Sequence, residues 1–249
     1  MTEISVCIPT YEFKGKGTYY LSELLKSLEK QTFRDFDIVI SDHSIGNEIY
    51  DVAKEASEEF EITYTRNPNG RGFQAPNTNC VFDNAEGKII KLIYQDDIFV
   101  NDEALKIIVN GFEKNSGKWM MHGFAHTQDG KTINRPMIPR WTDMLLEGRN
   151  LLGSPTCFAC LNEAKMHMDE ALKLLIDTEL YHRMRYNHGM PIIIEDVLVA
   201  NREHPDRMSS SGIVYDMQIN HPEGAWLVNR EEYYYIMNKH RNTRRYPDE

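Results

Sequence analysis

Two adjacent carboxylates, Asp96 and Asp97, follow the strand candidate Lys88-Ile89-Ile90-Lys91-Leu92-Ile93-Tyr94 after a single Gln95. Packing gives a buried strand no use for two acids at its end, whereas hard oxygen donors suit Mg2+ or Mn2+, either of which neutralises a diphosphate. The competing use for such a pair is to cap the next helix. Asp102 is better placed for that, just ahead of the apolar face Ala104, Leu105, Ile108, Val109 and Phe112. Other polar residues also follow apolar runs: Thr10, Tyr11 and Glu12 come after Ile4 to Pro9, and Asp42 comes after Asp37 to Ser41. Arg71 lies in the turn-rich stretch Asn67-Pro68-Asn69-Gly70-Arg71-Gly72, where a guanidinium can reach phosphate or ribose oxygens.

The elements that carry these residues alternate. Ile4 to Ile8 reads as a buried strand stopped by Pro9, and Leu21, Leu24, Leu25 and Leu28 recur at helical spacing, with Thr18 as the expected cap. Asp37 to Ser41 reads as a second strand, followed by a helix to about Ser57, a strand at Ile62 to Thr65 and a short helix over Asn77 to Ala85. Repeated βα units imply a mostly parallel sheet buried on both faces by helices. In open sheets of that kind ligands bind beyond the carboxyl ends of the strands, so Thr10, Tyr11, Glu12, Asp42, Asp96 and Asp97 are expected to converge on one crevice.

The second half is less regular. Trp119 to Met121, Thr132-Ile133 and Pro155 to Leu161 read as strands, Glu163 to Asn187 as a long interrupted helix stopped by Gly189, and Pro191 to Glu195 with Val197 to Ala200 as extended segments. A last helix is expected over Arg230 to His240. With no repeat and no long linker, the two halves are expected to share one sheet.

These segments resemble the family 2 glycosyltransferases, inverting enzymes of GT-A fold, through about Ser211. ISVCIPTYE, from Ile4 to Glu12, is similar to that family's first strand and nucleotide loop, which makes Pro9, Thr10, Tyr11 and Glu12 expected contacts of the nucleotide sugar. LKSLEKQTFRDFDIVISDHS, from Leu25 to Ser44, places Asp42 where the uracil or ribose is expected. NCVFDNAEGKIIKLIYQDD, from Asn79 to Asp97, matches the spacing from an Asn through an Ala and a Gly to the metal motif. That motif, DxD in the family, stands here as Tyr94-Gln95-Asp96, so the first carboxylate is missing and Asp96 carries the metal. Asn77 competes with Asn79, and counting back from Ala85 and Gly87 favours Asn79.

Further on, Gly153-Ser154-Pro155-Thr156 resembles the segment before the acceptor-side strand, and DTELYHR, from Asp177 to Arg183, resembles an acidic residue followed by an aromatic-rich helix ending in Arg. By that match Asp177 is the general base, which inversion requires to accept the proton of the attacking hydroxyl. A helix N-cap is the local alternative for Asp177. Glu195-Asp196 ranks below it, because it corresponds to the strand before an R-x-H motif, here Arg202-Glu203-His204. His204 is similar to a residue that adds a nitrogen ligand to the metal in some members.

The resemblance thus implies an α/β fold, a single GT-A-like, Rossmann-like domain over residues 1–228. Its nucleotide-binding half would be 1–100 and its smaller mixed acceptor-side half 101–228, followed by a C-terminal helix and basic tail over 229–249. The implied reaction moves a sugar from a nucleotide-diphosphate sugar, a UDP-sugar first of all, to a glycan, a lipid-linked glycan or another hydroxyl acceptor. The implied cofactor is Mn2+ or Mg2+, held by Asp96 and His204. Two other readings stay open: a sugar-nucleotide nucleotidyltransferase and a module that binds nucleotide sugar or glycan without turnover. The first would want a Gly-rich basic loop after the first strand, and Pro9-Thr10-Tyr11-Glu12 is not one.

Bulk composition agrees with a folded domain and narrows the partners. The 249 residues carry a formal charge of −10, which repels nucleic acid, and the basic cluster Lys239, His240, Arg241, Arg244 and Arg245 suits a helix C-terminus. Cys157 and Cys160 have metal-site spacing but no second pair, so buried reduced thiols are expected, in keeping with a cytoplasmic protein. No apolar run nears the ~20 residues that span a bilayer. Tyr233, Tyr234, Tyr235 and Trp226 suggest core packing first and a homo-oligomer contact second.

Overall fold

The computed structural model describes residues 2–205, 217–221, 224–243 and 246. Its first strand, β1 (Ile4–Thr10), is buried along its whole length and pairs in parallel with β2 (Phe36–Asp42) on one side. On the other side it pairs in parallel with β4 (Ile89–Leu92). Strands this uniformly buried have no solvent face, and helices cover both sides. α1 (Gly17–Glu29) turns Leu21, Leu24, Leu25 and Leu28 inward. α2 (Glu48–Ala56) precedes the edge strand β3 (Ile62–Arg66), and α3 (Gln74–Asn84) packs on β1 and β2.

β5 (Ile98–Phe99) and α4 (Ala104–Lys114) lead into β6 (Trp119–Thr127), to which β7 (Asn134–Met137) is added as an exposed antiparallel strand. β8 (Phe158–Leu161) inserts antiparallel between β4 and β6, and β9 (Ile192–Arg202) runs parallel to β6. Among the described residues the order β3-β2-β1-β4-β8-β6-β9-β5, with β7 branching from β6 as the ninth strand, joins both halves in one sheet, as expected. α5 (Ile176–His188) follows the loops after β8. A small hairpin, β10 (Met217–His221) with β11 (Gly224–Val228), leads into α6 (Arg230–Lys239). Val228 and Ile236 belong to the same apolar cluster as Ile4, Leu92 and Trp119.

Several local expectations need correcting. Thr18 lies inside α1 and Asp102 precedes α4 by two residues. Neither helix has a side-chain cap, and Asn101 Oδ1 instead accepts the Glu103 N–H at 2.9 Å. The segment from Lys165 to Leu175 is a loop, because its apolar residues Met168, Leu172 and Leu175 fill the core from irregular backbone; past a short 3-10 turn at Asn162–Ala164 the helix begins only with α5, stopped at Gly189 with φ of 80°. The two extended segments after Pro191 are one strand with a register shift opposite Gly123. There Glu195 and Asp196 are exposed, and a Cβ on Gly123 would stand 2.6 Å from the Asp196 carbonyl. Cys7, Cys157 and Cys160 are buried thiols, which burial raises above their usual range. Ser211, Arg244 and Arg245 lie outside the described residues.

Candidate active site

A cleft of about 460 Å³ opens beyond the carboxyl ends of β1, β2 and β4, within the size range of small-molecule sites. Pro9 of β1 and Tyr11 just after it, His43 just after β2, and Tyr94, Gln95, Asp96 and Asp97 of the turn after β4 line one side. The opposite wall comes from the second half: Ser154 and Pro155 before β8, Lys173, Leu174, Ile176 and Asp177 around the start of α5, and Asn201 and Arg202 from the end of β9.

Asp96 and His204 meet at this mouth, with His204 Nε2 3.0 Å from Asp96 Oδ2. The imidazole is stacked on Tyr20 with ring centres 5.1 Å apart and meets Phe13 edge-on at 5.2 Å, which fixes its plane. Its buried Nδ1 has no partner. One carboxylate oxygen and one imidazole nitrogen facing each other form a donor set that fits Mn2+ or Mg2+, with the other positions left to phosphate oxygens and water. Among the described residues no group of three or more His, Cys, Asp and Glu is arranged around a metal position.

Asp97 has a different job. Its carboxyl accepts from Thr156 Oγ1 at 2.5 Å, Arg202 N at 2.8 Å and Asn201 Nδ2 at 3.2 Å, so it bolts the β4 turn to β9 and to the segment before β8. Burial, with the neighbouring Asp96 charge, pushes it up to about 8. Tyr94, at the place of the missing DxD carboxylate, sends its hydroxyl to Gln74 and Thr78 of α3.

Asp177 sits in the first turn of α5, half-buried in the cleft wall. Each carboxyl oxygen holds one bond: Oδ2 accepts from Asn150 Nδ2 at 2.7 Å and Oδ1 from the Thr178 N–H at 2.8 Å. Burial pushes it up to about 6 against those two donors, which suits a base working near neutral pH.

The other expected contacts divide. Tyr11 and Gln95 are locked together: Gln95 Oε1 accepts the Tyr11 N–H at 2.5 Å, and Gln95 Nε2 donates to the Tyr11 carbonyl at 2.9 Å and the Gly17 carbonyl at 3.2 Å. Gly17 has to be glycine for that approach, since a Cβ there would lie 2.3 Å from the Tyr11 carbonyl. Thr10 and Asp42 are fully buried behind the cleft lining. Asp42 is spent on the Ser44 N–H at 2.8 Å and the Tyr64 hydroxyl at 2.6 Å, with Arg66 at 3.4 Å. Glu12 borders a smaller hollow beside α1 and α2, and Arg71 is exposed outside the cleft lining, next to Gly72, which is in it. Asn79 points away: it exchanges bonds with the backbone of Met168 at 3.0 and 2.7 Å. Asn77 is the one in the cleft wall, and it ties β1 to β2 by donating to the Thr10 carbonyl at 2.9 Å and accepting from Ser41 Oγ at 2.6 Å. Counting residues could not separate the two, because the choice depends on which helix face meets the strand ends.

Sequence reasoning missed His43, Asn150, Lys173 and Asn201. His43 Nδ1 accepts the Gly72 N–H at 3.3 Å while its buried Nε2 has no partner, and burial holds the imidazole below its usual range. Loop residues of this kind leave no periodic signal, though His43 beside Asp42 and Arg202 within the R-x-H stretch were within reach of the strand-end rule.

Residues 5–173 match the family described as Glycosyl transferase family 2. The chain belongs to that family. One relative, the succinoglycan biosynthesis protein ExoW of Rhizobium meliloti (strain 1021), is 24% identical over 220 residues, 80% of this chain and 62% of the relative. The chain therefore spans less than two thirds of that relative's length. Among solved structures, S. aureus TarS 1-349 in complex with UDP-GlcNAc superposes with a TM-score of 0.71 at 19% identity, covering 95% of this chain and 65% of TarS 1-349. The mannosyltransferase PcManGT from Pyrobaculum calidifontis, in complex with GDP-Man and Mn2+, has a TM-score of 0.56 at 13% identity, over 80% of this chain and 56% of its own. These likenesses establish the GT-A-like fold of this family 2 chain.

Proposed function

We propose that the chain is an inverting, metal-assisted glycosyltransferase that moves a sugar from a nucleotide-diphosphate sugar, a UDP-sugar in the first instance, to a hydroxyl acceptor. The observation that carries this reading is one cleft walled on one side by Asp96 with His204 at 3.0 Å and on the other by the half-buried Asp177. Family membership supports the reaction class, and the UDP-GlcNAc and Mn2+ complexes of the structural relatives support the donor and the metal. The name of the relative, a succinoglycan biosynthesis protein, supports a glycan as acceptor.

In this mechanism Asp96 and His204 would hold a divalent ion, which would supply Lewis-acid neutralisation of the charge on the departing diphosphate. Asp177 accepts the proton of the acceptor hydroxyl as its oxygen forms a bond to the anomeric carbon. The bond from that carbon to the β-phosphate oxygen breaks on the opposite face, and its electron pair leaves with the nucleotide diphosphate. Asn150 and the Thr178 N–H keep the Asp177 carboxyl turned to the cleft. The Gln95 clamp on Tyr11 holds the loop expected to carry the nucleotide. Asp42, in its bonds to Ser44 and Tyr64, supports that wall from behind.

Calorimetry with a panel of nucleotide sugars and Mn2+, followed by nucleotide-release assays, tests the reading. A donor that binds only with metal, and is turned over by the parent chain but not by Asp177→Asn, is the expected result. Turnover at the parent rate by both Asp177→Asn and Asp96→Ala would sink it, and pyrophosphate release would favour a nucleotidyltransferase.

A further inference from the structure

Helix α6 follows the matched family segment in sequence, yet it is fastened to the wall of the cleft. Glu232, in its first turn, accepts the backbone N–H of Lys173 at 2.8 Å on Oε1, and those of Leu174 at 3.0 Å and Leu175 at 2.8 Å on Oε2. These three consecutive residues lead straight into α5, and Lys173, Leu174, Ile176 and Asp177 all line the cleft. Glu232 is itself held, because its N–H donates to the capping Asn229 Oδ1 at 3.0 Å. One turn on, Ile236 is buried in the core. At the far end of α6, Lys239 and His240 reach Glu179 of α5 at 2.7 and 2.9 Å. A carboxylate bonded to three successive amides at the start of a helix is a strong, directional anchor, since the amide dipoles add to the positive helix end.

From this geometry we infer that Glu232 is a positioning residue for Asp177, setting where its carboxyl stands in the cleft. The inference rests on the reading of Asp177 as the base. Asp177 is two residues beyond Leu175, so release of the anchored amides lets the base shift, and a shift of about 1 Å at a reacting group lowers rates by roughly 10²-fold. The titratable groups that face Asp177 are Tyr94 from the turn after β4, Tyr181 one turn along α5 and Glu232 from α6, with Asp96 and Lys173 in the same cleft. Of these, the Glu232 charge acts to raise the Asp177 midpoint.

Two variants separate position from charge. Glu232→Gln keeps the shape, removes the charge and replaces one accepting oxygen by an NH2 that cannot accept. Glu232→Asp keeps the charge and withdraws the carboxyl by one methylene. Nucleotide release from UDP-GlcNAc with Mn2+ and a 13C-NMR titration of the Asp177 carboxyl are measured for both. The expected result is a kcat loss of roughly 10²-fold in each at unchanged donor KM, with the Asp177 midpoint moved to lower pH in Glu232→Gln alone. Parent kcat and parent midpoint in both variants, alongside an inactive Asp177→Asn, would overturn the inference. Equal losses in stability with kcat and midpoint unchanged would make Glu232 merely structural and overturn it too. A fully active Asp177→Asn would instead remove the base reading. If Glu232→Gln does not fold, the kcat of Glu232→Asp decides; if UDP-GlcNAc is not turned over, the carboxyl midpoint decides.

Discussion

His204 Nε2 lies 3.0 Å from Asp96 Oδ2 although 108 residues separate the two in the chain. The contact exists because β9 ends beside the turn after β4, where the Arg202 N–H reaches Asp97 and Arg202 Nε reaches the Asp96 carbonyl at 2.9 Å. Tyr20 and Phe13 from the first helical segments then hold the imidazole in plane. A pair assembled from three parts of the fold is costly to hold without a use, and a cation between carboxylate and imidazole is the use proposed.

That pair predicts the effect of His204→Ala. Mn2+ affinity in the presence of a nucleoside diphosphate should fall by about tenfold or more, as loss of a metal-site partner does elsewhere. Calorimetric titration with Mn2+ reads it without turnover, and an unchanged affinity would remove His204 from the site.

Asp177 predicts the pH profile. Pushed up to about 6, it is protonated and idle below that pH and ionised above it, so kcat should rise with pH through a midpoint near 6 and level off. Asp177→Asn should bind donor as the parent does and lose transfer. An acid limb unchanged in position in a variant without the carboxyl would assign the limb to another group.

Removing the Asp97 carboxyl should cost stability rather than chemistry alone. In Asp97→Ala the Thr156 Oγ1 and Arg202 N–H donors lose their partner, while Asn201 Nδ2 keeps only Ser154 Oγ at 2.6 Å, and buried donors left unsatisfied cost about 1–3 kcal/mol each. A chemical denaturation midpoint equal to that of the parent would contradict the role of this residue as the bolt between β4 and β9.

Lys91 gives a stability effect with the same sign as a depressed carboxylate, but in the alkaline range. Its ammonium is wholly buried, donating to the Leu92 carbonyl at 2.9 Å and to the Thr156 carbonyl, and burial pushes it down from 10.5 to about 7. Between those values the unfolded chain binds a proton that the folded chain lacks. The parent should therefore lose stability as pH falls from 10.5 toward about 7 and level off below. Lys91→Met should abolish that slope in thermal unfolding; a slope unchanged in the variant would rule Lys91 out as its source.

Gln95→Ala should loosen the loop after β1, since it frees the Tyr11 N–H, the Tyr11 carbonyl and the Gly17 carbonyl. One lost buried hydrogen bond of about 1 kcal/mol corresponds to somewhat under a tenfold change in donor KM. Stopped-flow donor binding distinguishes this from a loss of the chemical step.

Much of this protein could be read without coordinates. Uniform apolar runs such as Ile4 to Ile8 and Ile89 to Ile93 have one stable home, a sheet covered on both faces, and the polar residues that follow them must then collect at its carboxyl edge. The place of Asp96 and Asp97 at that edge was legible for that reason, and Asp177 and His204 were picked out by the resemblance of their motifs to the family. What those residues do individually was decided elsewhere. Asn77 rather than Asn79 enters the wall, Asp42 turns inward to Tyr64, and Glu195 with Asp196 face solvent. Each of these depends on helix rotation, strand register or a bulge, and none leaves a trace in residue order. The interlocks of Gln95 with Tyr11, Asp97 with Arg202 and Glu232 with residues 173–175 join positions 57 to 105 apart. Local periodicity encodes which elements form and which faces are apolar, because those are interactions within a few residues. Hydrogen bonds between loops become possible only after the core has set the distances between them.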